Sequence, residues 1–257
     1  MIDVNYMGSK AKISKYIVPI IQQYIDLNSI TTYIEPFVGG ANVIDKIRCD
    51  RRIGSDANEY LIELFKFQQS HKDFPSDISY EDYCNVRTAY NMNSEIEYEK
   101  YYIGLVGFLA SYNGRFFDGG FAKPTISDGK LRNYYQEHLR NLLYQNLDGI
   151  EFQCGDYHSF SEYIDCLIYC DPPYRNTKEY NSRIKFDSDE FFEFARKLSE
   201  NNIVLISEQS APDDFECIWK QSVKRQIDTS NKFDVCEKLF VYKYGKQIKI
   251  PTKRGLF

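Results

Sequence analysis

The chain has 257 residues, of which 43% are hydrophobic and 27% charged, and its net charge is −5 at pH 7. This length fits one large domain or one domain with an insertion, and the composition excludes a disordered or fibrous protein. Seven cysteines without a Cys-x-x-Cys pair, three histidines, and the lack of a signal peptide or membrane-length apolar stretch predict a cytoplasmic protein with reduced thiols and no metal site.

The first predicted element is a helix near the N-terminus. Ser9 is placed to cap its start. Its apolar positions recur at helical spacing and are Ile13, Ile17, Ile20 and Tyr24. A short apolar strand at 33–34 follows and ends at the loop Glu35–Gly40. A second helix is expected after this loop, through Ile44 and Ile47.

A second short strand, over 52–56, ends in an acidic residue, and a helix is predicted from about 59 to 69. From about 72 to 148 helical patterns dominate, around 83–90, 98–110 and 131–147. The glycine- and aromatic-rich stretch 111–121 interrupts them and predicts a hairpin or extended loop near 111–124.

Strand–helix alternation resumes after residue 149. Apolar strands are predicted at 167–170, 203–207 and 239–242, with a helix over 188–199. Cys166 and Cys170 flank the first of these strands and are expected to pack as small hydrophobes. Continuous apolar runs alternating with helices favour an α/β domain whose largely parallel sheet is covered on both faces. The predicted boundaries are 1–71 and 149–257 for this domain and 72–148 for a helical insertion.

One candidate site is the tetrapeptide Asp171-Pro172-Pro173-Tyr174, directly after the strand 167–170. In open α/β sheets ligands lie beyond the carboxyl ends of the strands. This set of residues would suit a reaction at the amino nitrogen of adenine. That nitrogen is a poor nucleophile because its lone pair is delocalised into the ring. Two acceptors, the Asp171 carboxylate and the Pro172 carbonyl, would favour a pyramidal nitrogen, and the Tyr174 ring could stack on the base. The alternative is a surface turn without chemistry.

Two further strand-end features suit a nucleoside ligand. In the loop Glu35–Gly40, the glycines Gly39 and Gly40 allow the backbone to approach a ligand, and the Phe37 ring can cover it. The loop is not a G-x-G-x-x-G motif, and no phosphate-binding loop follows. Asp56, about 20 residues further on, could accept both ribose hydroxyls or cap the helix that follows it.

A third feature, Tyr6-Met7-Gly8-Ser9-Lys10, lies just before the first helix. A lysine beside a helix N-terminus offers a cationic, amide-rich corner for a carboxylate. A surface lysine without a ligand is the alternative interpretation.

The order of these features resembles the Dam-type DNA adenine N6-methyltransferases: Y-x-G-x-K, E-P-F-x-G-G, a strand-end Asp, a helical insertion and D-P-P-Y. The resemblance runs from about residue 5 to 244, with weaker matches at 154–157, 204–208 and 236–240. It implies a Rossmann-like S-adenosylmethionine methyltransferase fold with an inserted, mainly helical target-recognition domain. It also implies methyl transfer to N6 of adenine in double-stranded DNA, with the target base flipped out of the helix.

The resemblance also assigns roles to residues. The cofactor would be held by Tyr6, Lys10, Glu35, Phe37, Gly39, Gly40, Asp56, Asp156, Tyr157 and Asp171, with Tyr6 and Lys10 at its amino-acid end and Asp156 and Tyr157 at its adenine. The catalytic residues would be Asp171, Pro172, Pro173 and Tyr174. DNA would be contacted by Tyr112, Asn113, Arg115, Phe116 and Lys123. No metal would be needed, because the sulfonium is already activated.

The predicted hairpin departs from the family pattern Y-N-x-x-G-x-F-N-V-P-F-G, since this chain has Y-N-G-R-F-F-D-G-G-F at 112–121. A GATC target is therefore not predicted, and neither a recognition sequence nor a restriction endonuclease partner follows from the sequence. The segment 218–257 carries ten Lys/Arg against three Asp/Glu, which is compatible with DNA binding but also with a solvated tail.

Two alternative functions stay open. An RNA or protein amide methyltransferase could use the same Asp-Pro-Pro-Tyr chemistry, although the helical insertion disfavours it. A catalytically inactive DNA-binding relative is the other, against which the presence of Lys10, Asp56 and Asp171 argues.

Overall fold

A computed structural model describes residues 10–92, 97–127, 129–173, 186–226 and 232–251. The strands, numbered in chain order, are β1 (Thr32–Glu35), β2 (Arg51–Asp56), β3 (Thr125–Ser127), β4 (Lys130–Arg132), β5 (Ile150–Cys154), β6 (Leu167–Cys170), β7 (Ile203–Glu208), β8 (Phe215–Gln226) and β9 (Lys232–Tyr242). The α-helices are α1 (Ala11–Asn28), α2 (Glu59–Ser70), α3 (Tyr80–Asn91), α4 (Lys100–Leu109), α5 (Tyr134–Tyr144) and α6 (Ser188–Leu198).

Seven of these strands form one sheet in the order β5-β2-β1-β6-β7-β9-β8. The first five are parallel, whereas β9 runs antiparallel to both β7 and β8. Every residue of β6 and β7 is buried, which explains their continuous apolar sequences. The predicted fold, a mostly parallel sheet in an α/β domain, is confirmed.

The strand order places a ligand-binding edge at the centre of the sheet. From β1 the chain builds outward through β2 to β5, and then returns to the other side of β1 to form β6 and β7. The order therefore reverses between β1 and β6, and the crevice beyond the carboxyl ends of strands at such a point is where open α/β sheets bind ligands.

Around the first strand the structure corrects two predictions. The predicted helix through Ile44 and Ile47 is only a single 3-10 turn, Ile44–Lys46, because Ile47 is already extended on the way to β2. Ser9 lies outside the described residues, and the N-cap of α1 is Lys10, whose carbonyl accepts the first helical N–H groups. The four apolar positions predicted for α1 are all buried, as expected.

Between α2 and β5 the chain forms α3, α4, the small hairpin β3–β4 and α5. The hairpin occupies 125–132, later than the predicted 111–124, and residues 111–121 instead form a compact loop closed by a bridge between Ser111 and Phe121. The helix predicted from 131 begins at Tyr134, because β4 uses residues 130–132 and the Asn133 side chain caps α5.

This helical segment packs directly on α2, in the same hydrophobic core as the sheet. A Cβ atom on Gly104 of α4 would lie 2.2 Å from the Tyr60 carbonyl oxygen of α2, so the two helix backbones touch there. A Cβ on Gly107 would lie 2.4 Å from the Phe116 ring, so this glycine makes room for the 111–121 loop. Among the helices that the structure describes, none is long and apolar enough to cross a membrane.

Candidate active site

Five acidic residues lie at or just after the carboxyl ends of neighbouring parallel strands, and one of them is Glu208, which is buried at the end of β7. Glu35 ends β1, Asp56 ends β2, Asp156 follows β5 and Asp171 follows β6. Because these strands are adjacent and parallel, their ends meet at one edge of the sheet. The structure thus brings together the predicted residues of two chain segments, before and after the helical insertion.

A buried lysine holds the catalytic candidate Asp171. Lys10 Nζ lies 2.8 Å from Asp171 Oδ1, and the lysine side chain is only 5% exposed against 19% for the aspartate. The same Nζ lies 3.5 Å from Glu237 Oε2, on β9. Lys10 is therefore not a solvated surface lysine, and in this structure its ammonium group contacts Asp171 directly.

Glu35 is a fully buried carboxyl group beside this pair. Tyr33 Oη donates a hydrogen bond to its Oε1 at 2.6 Å. Burial raises the pKa of Glu35 well above its usual range, the negative charge of Asp171 also raises it, and the Tyr33 hydrogen bond opposes both. The carboxyl group of Glu35 is thus held in a fixed orientation and retains its proton to higher pH than an exposed glutamate.

The glycine loop after β1 is fixed by contacts from three directions. The Val38 N–H donates to the Ser55 carbonyl at 2.7 Å. Gly39 has a positive φ of 46° and donates its N–H to Asp56 Oδ2 at 3.2 Å. The Gly40 carbonyl accepts a 2.7 Å hydrogen bond from Gln145 Nε2, just after α5. The helical segment therefore helps to set the shape of this loop.

Asp56 is not the cap of the helix that follows it. The N-cap of α2 is Asn58, whose side chain accepts the N–H groups of Tyr60 and Leu61. Asp56 instead accepts hydrogen bonds from Gly39 and, at 2.9 Å, from the Asn58 N–H. Burial raises its pKa, and these backbone N–H groups counteract part of that rise. A carboxylate has about four acceptor sites, so Asp56 retains capacity for hydroxyl donors of a ligand.

An aromatic group flanks the same edge. The ring centroids of Phe37 and Tyr157 are 5.4 Å apart, and Phe191 lies 5.8 Å from Phe37. Phe37 is half-buried, whereas Tyr157 is buried, so Phe37 offers more of its ring to a ligand. Asp156 is exposed, and its side chain accepts the His158 N–H at the start of a 3-10 turn.

Two of the predicted motifs, at 6–10 and 171–174, lie partly outside the described residues. Pro172 is buried and Pro173 exposed, but Tyr174 is beyond the described range, as is Tyr6. Within the described ranges, no group of three or more His, Cys, Asp or Glu side chains is arranged to hold a metal ion.

The DNA-contact candidates divide into two groups. Tyr112, Asn113 and Lys123 are exposed. Phe116, by contrast, packs against α2 and α4, with its ring centroid 4.6 Å from that of Phe108. Arg115 is half-buried, and its carbonyl accepts the Asp118 N–H at 3.0 Å, which closes the turn.

Two residues of the site were not predicted from the sequence, Glu237 and Gln145. Glu237 is buried on β9, near the equally buried Leu239, so a charged residue at a core-facing position, within the weaker family match at 236–240, was the available indication. Nothing in the local pattern around Gln145 indicated that its amide would reach the glycine loop.

Comparison with known proteins gives one family. The family described as D12 class N6 adenine-specific DNA methyltransferase matches residues 6–221. The type II methyltransferase M.MjaIII of Methanocaldococcus jannaschii is 24% identical over 246 residues, which is 82% of this chain and 85% of that protein. The DNA adenine methylase of Haemophilus influenzae is 26% identical over 179 residues, 64% of this chain and 62% of that one. The rRNA methyltransferase aviRa from Streptomyces viridochromogenes aligns over 87% of this chain and 82% of its own with a TM-score of 0.36 and 10% identity, too weak a likeness to support an argument.

Proposed function

We propose a mechanism on the premise that this chain belongs to the D12 class of N6 adenine-specific DNA methyltransferases. As a member of that family it is an adenine-specific DNA methyltransferase. The proposal assigns the methyl donor, S-adenosylmethionine, and the target adenine to the strand-end edge described above. The observation that carries it is the position of Asp171 at the reversal point of the sheet, held by the buried Lys10 at 2.8 Å.

The residues at this edge fit S-adenosylmethionine. Asp56 offers carboxylate acceptors for ribose hydroxyls, and Gly39, at a positive φ, lets the backbone pass close to a ligand. Phe37 offers a partly exposed ring for the flat parts of the molecule. Lys10, with Tyr6, is assigned to the amino-acid end. When bound, S-adenosylmethionine supplies a methyl group that is already activated by its sulfonium.

Asp171 and Pro172 prepare the nucleophile. The Asp171 carboxylate and the Pro172 carbonyl accept hydrogen bonds from the amino group of the target adenine, which directs the nitrogen lone pair towards the methyl group. Asp171 is also placed to accept the proton that the nitrogen must lose after methylation. Tyr174 is assigned to stacking on the base. The base has to leave the helix for this geometry, at a cost of a few kcal/mol that stacking and hydrogen bonds offset.

Residues 72–148 are assigned to target recognition. Tyr112 and Asn113 project from the compact loop 111–121, and Lys123 follows it on the surface. The loop is fixed from within, because Ser111 Oγ accepts the Phe117 N–H at 3.1 Å and is 3.1 Å from Tyr83 Oη. We assign Phe116 to this internal support, since its ring packs in the aromatic cluster and not on the surface.

Replacing Arg115 with alanine tests the recognition role of this loop. The Arg115 carbonyl, which holds the turn, is kept in the alanine variant. The substitution therefore tests the side chain alone, and we expect its loss to affect DNA binding. A guanine contact would be worth about 1–3 kcal/mol and would relax preference at one base position. A phosphate contact would weaken binding to all sequences and reduce the salt slope by about one. Fluorescence anisotropy with a set of duplexes at several salt concentrations separates the two.

Lys123→Ala is the matched comparison for this experiment, because it removes an exposed cation next to the same loop. An Arg115→Ala protein with wild-type DNA affinity, base preference and salt slope would exclude both DNA roles. If its melting temperature fell at the same time, the side chain would be assigned to holding the loop.

The direct test of the proposed function is transfer of labelled methyl from S-adenosylmethionine to duplex DNA. N6-methyladenine is expected as the labelled nucleoside after digestion and mass spectrometry. Matched RNA and protein substrates in the same assay test the alternative methyltransferases. Calorimetric binding of S-adenosylmethionine without any transfer would instead indicate an inactive relative.

A further inference from the structure

A buried carboxylate outside the predicted site contacts the cation beside Asp171. Glu237 lies on β9 with only 2% of its side chain exposed, and its Oε2 is 3.5 Å from Lys10 Nζ. The same ammonium group contacts Asp171 Oδ1 at 2.8 Å. One lysine is therefore shared between two carboxylates, one at the end of β6 and one on the antiparallel strand β9.

Packing does not explain a glutamate at this position. Burying a charged group is unfavourable, and hydrophobic residues of similar volume often give a protein equal or greater stability than a buried ion pair. Leu239, on the same strand, shows that apolar side chains are accommodated in this core. The charge of Glu237 is therefore better explained by its effect on Lys10 and Asp171.

The effect follows from charge balance. An ion pair of Lys10 with Asp171 alone would be formally neutral, and its carboxylate would be a weaker acceptor for the target amino group. With Glu237 included, the three side chains carry one net negative charge. Lysine also has a long, flexible stem, and a second anchor restricts where its ammonium group can lie.

We propose that Glu237 is a positioning residue that shares Lys10 with Asp171, fixes the ammonium group on Oδ1 and preserves the hydrogen-bond acceptor strength of the Asp171 carboxylate. This inference rests on the proposed function of Asp171. Glu237 itself acts through Lys10 and is not assigned a contact with substrate.

Other titratable groups that the structure describes near the end of β6 include Glu208, buried at the end of the neighbouring strand β7, and Cys170 and Glu35, whose pKa values the Asp171 charge affects. Burial raises the pKa of Cys170, with the Asp171 and Glu35 charges adding to the rise, so its thiol stays protonated throughout the assay range. Burial raises the pKa of Glu35 as well, at the end of β1. All three groups are retained in every variant below, so they do not cause differences among them.

The test is Glu237→Gln, which keeps the shape of the side chain and an acceptor oxygen but removes the charge. The single-turnover rate of methyl transfer to duplex DNA is expected to fall about three- to ten-fold, because a weaker acceptor assists the reaction less. The acidic limb of the pH–rate profile should move to lower pH by about one pH unit, because a nearby negative charge is lost. The NMR titration of the ¹³C-labelled Asp171 carboxyl group in the free enzyme should move in the same direction.

The control is Glu151→Gln, which breaks the 2.7 Å contact to Arg51 at the far edge of the sheet and should change neither readout. In a Lys10→Met background, adding Glu237→Gln should have a smaller effect than in the wild type. A Glu237→Gln protein whose rate falls equally at every pH, with an unchanged Asp171 titration, would show a structural role and overturn the proposal.

Two further variants keep the test decisive. If Glu237→Gln does not fold, Glu237→Asp retains the charge, and a wild-type acidic limb with a reduced rate would support the proposal. A shifted limb in this variant would contradict it. If Asp171→Asn proves fully active, the role proposed for Asp171 in activating the amino group fails, while the NMR titration of Asp171 in the wild-type and Glu237→Gln proteins still shows whether Glu237 acts on it.

Discussion

Replacing Asp171 with alanine is expected to lower the rate of methyl transfer by about 100- to 1,000-fold, the usual cost of removing one preorganised hydrogen-bonding group from an active site. Asp171→Asn keeps the shape but replaces one acceptor oxygen with a donor, so it should also be severely impaired. Both variants also remove a negatively charged partner of the buried Lys10. Of its two described carboxylate partners, Glu237 then remains. Single-turnover transfer of labelled methyl to duplex DNA measures the effect.

Asp214→Asn is a matched control for Asp171. Asp214 also forms a close ion pair, 2.6 Å from Arg196 Nε, but lies away from the strand-end edge. Its variant should retain the wild-type rate. Near-wild-type transfer by either Asp171 variant would show that the amino group is not activated by this carboxylate.

Replacing Asp56 with alanine is expected to weaken binding of S-adenosylmethionine by about 1.5–3 kcal/mol, the value of a lost hydrogen bond to a charged group. This corresponds to an increase of roughly 10- to 150-fold in Kd. The physical reason is that Asp56 supplies the ribose acceptors and also holds the Gly39 N–H at 3.2 Å. Isothermal titration calorimetry measures the cofactor affinity, and DNA affinity without cofactor should be unchanged.

Asn58→Ala provides the structural control for Asp56. Asn58 caps α2, so this variant should lose about 1 kcal/mol of unfolding free energy with little change in cofactor affinity. If Asp56→Ala bound S-adenosylmethionine as tightly as the wild type, the ribose site would have to lie elsewhere.

The central strands could be predicted because both of their faces are buried. All residues of β6 and β7 are buried, and such strands have continuous apolar sequences that need no knowledge of their neighbours. The strand β5 was missed because it alternates buried and exposed residues and so lacks a continuous apolar run. The long strand β8 was missed because polar residues dominate it. It forms as a strand through its pairing with β9, which its own sequence does not indicate.

Of the two forms predicted for the stretch 111–121, a hairpin or an extended loop, the hairpin was misplaced for a related reason. Gly119 and Gly120 suggested a turn between strands, but Phe116 and Phe117 pack inward and hold the segment as a closed loop. Tertiary packing of two aromatic rings thus overrides the local pattern. The hairpin forms instead at 125–132, where Thr125 pairs with Arg132.

The position of the candidate site was predictable, but its internal contacts were not. Asp56 and Asp171 could be placed at strand ends from the sequence alone, because parallel strands align their carboxyl ends. The sharing of Lys10 between Asp171 and Glu237 joins residues 227 positions apart in the chain, and no local pattern encodes it. The assignment of residue 156 and of Tyr157 to the cofactor remains a prediction.

The contact between Gly104 and the Tyr60 carbonyl has a consequence for protein engineering. Because α4 touches the backbone of α2, exchanging residues 72–148 for the corresponding segment of a relative would place a foreign helix against a surface shaped for glycine. A chimera cut at residue 71 would therefore lose solubility or stability unless the donor carried a small residue at the same point. Cutting before α2, near residue 57, would transfer Tyr60 and Gly104 together. An exchange of recognition specificity between relatives is therefore better made with residues 57–148.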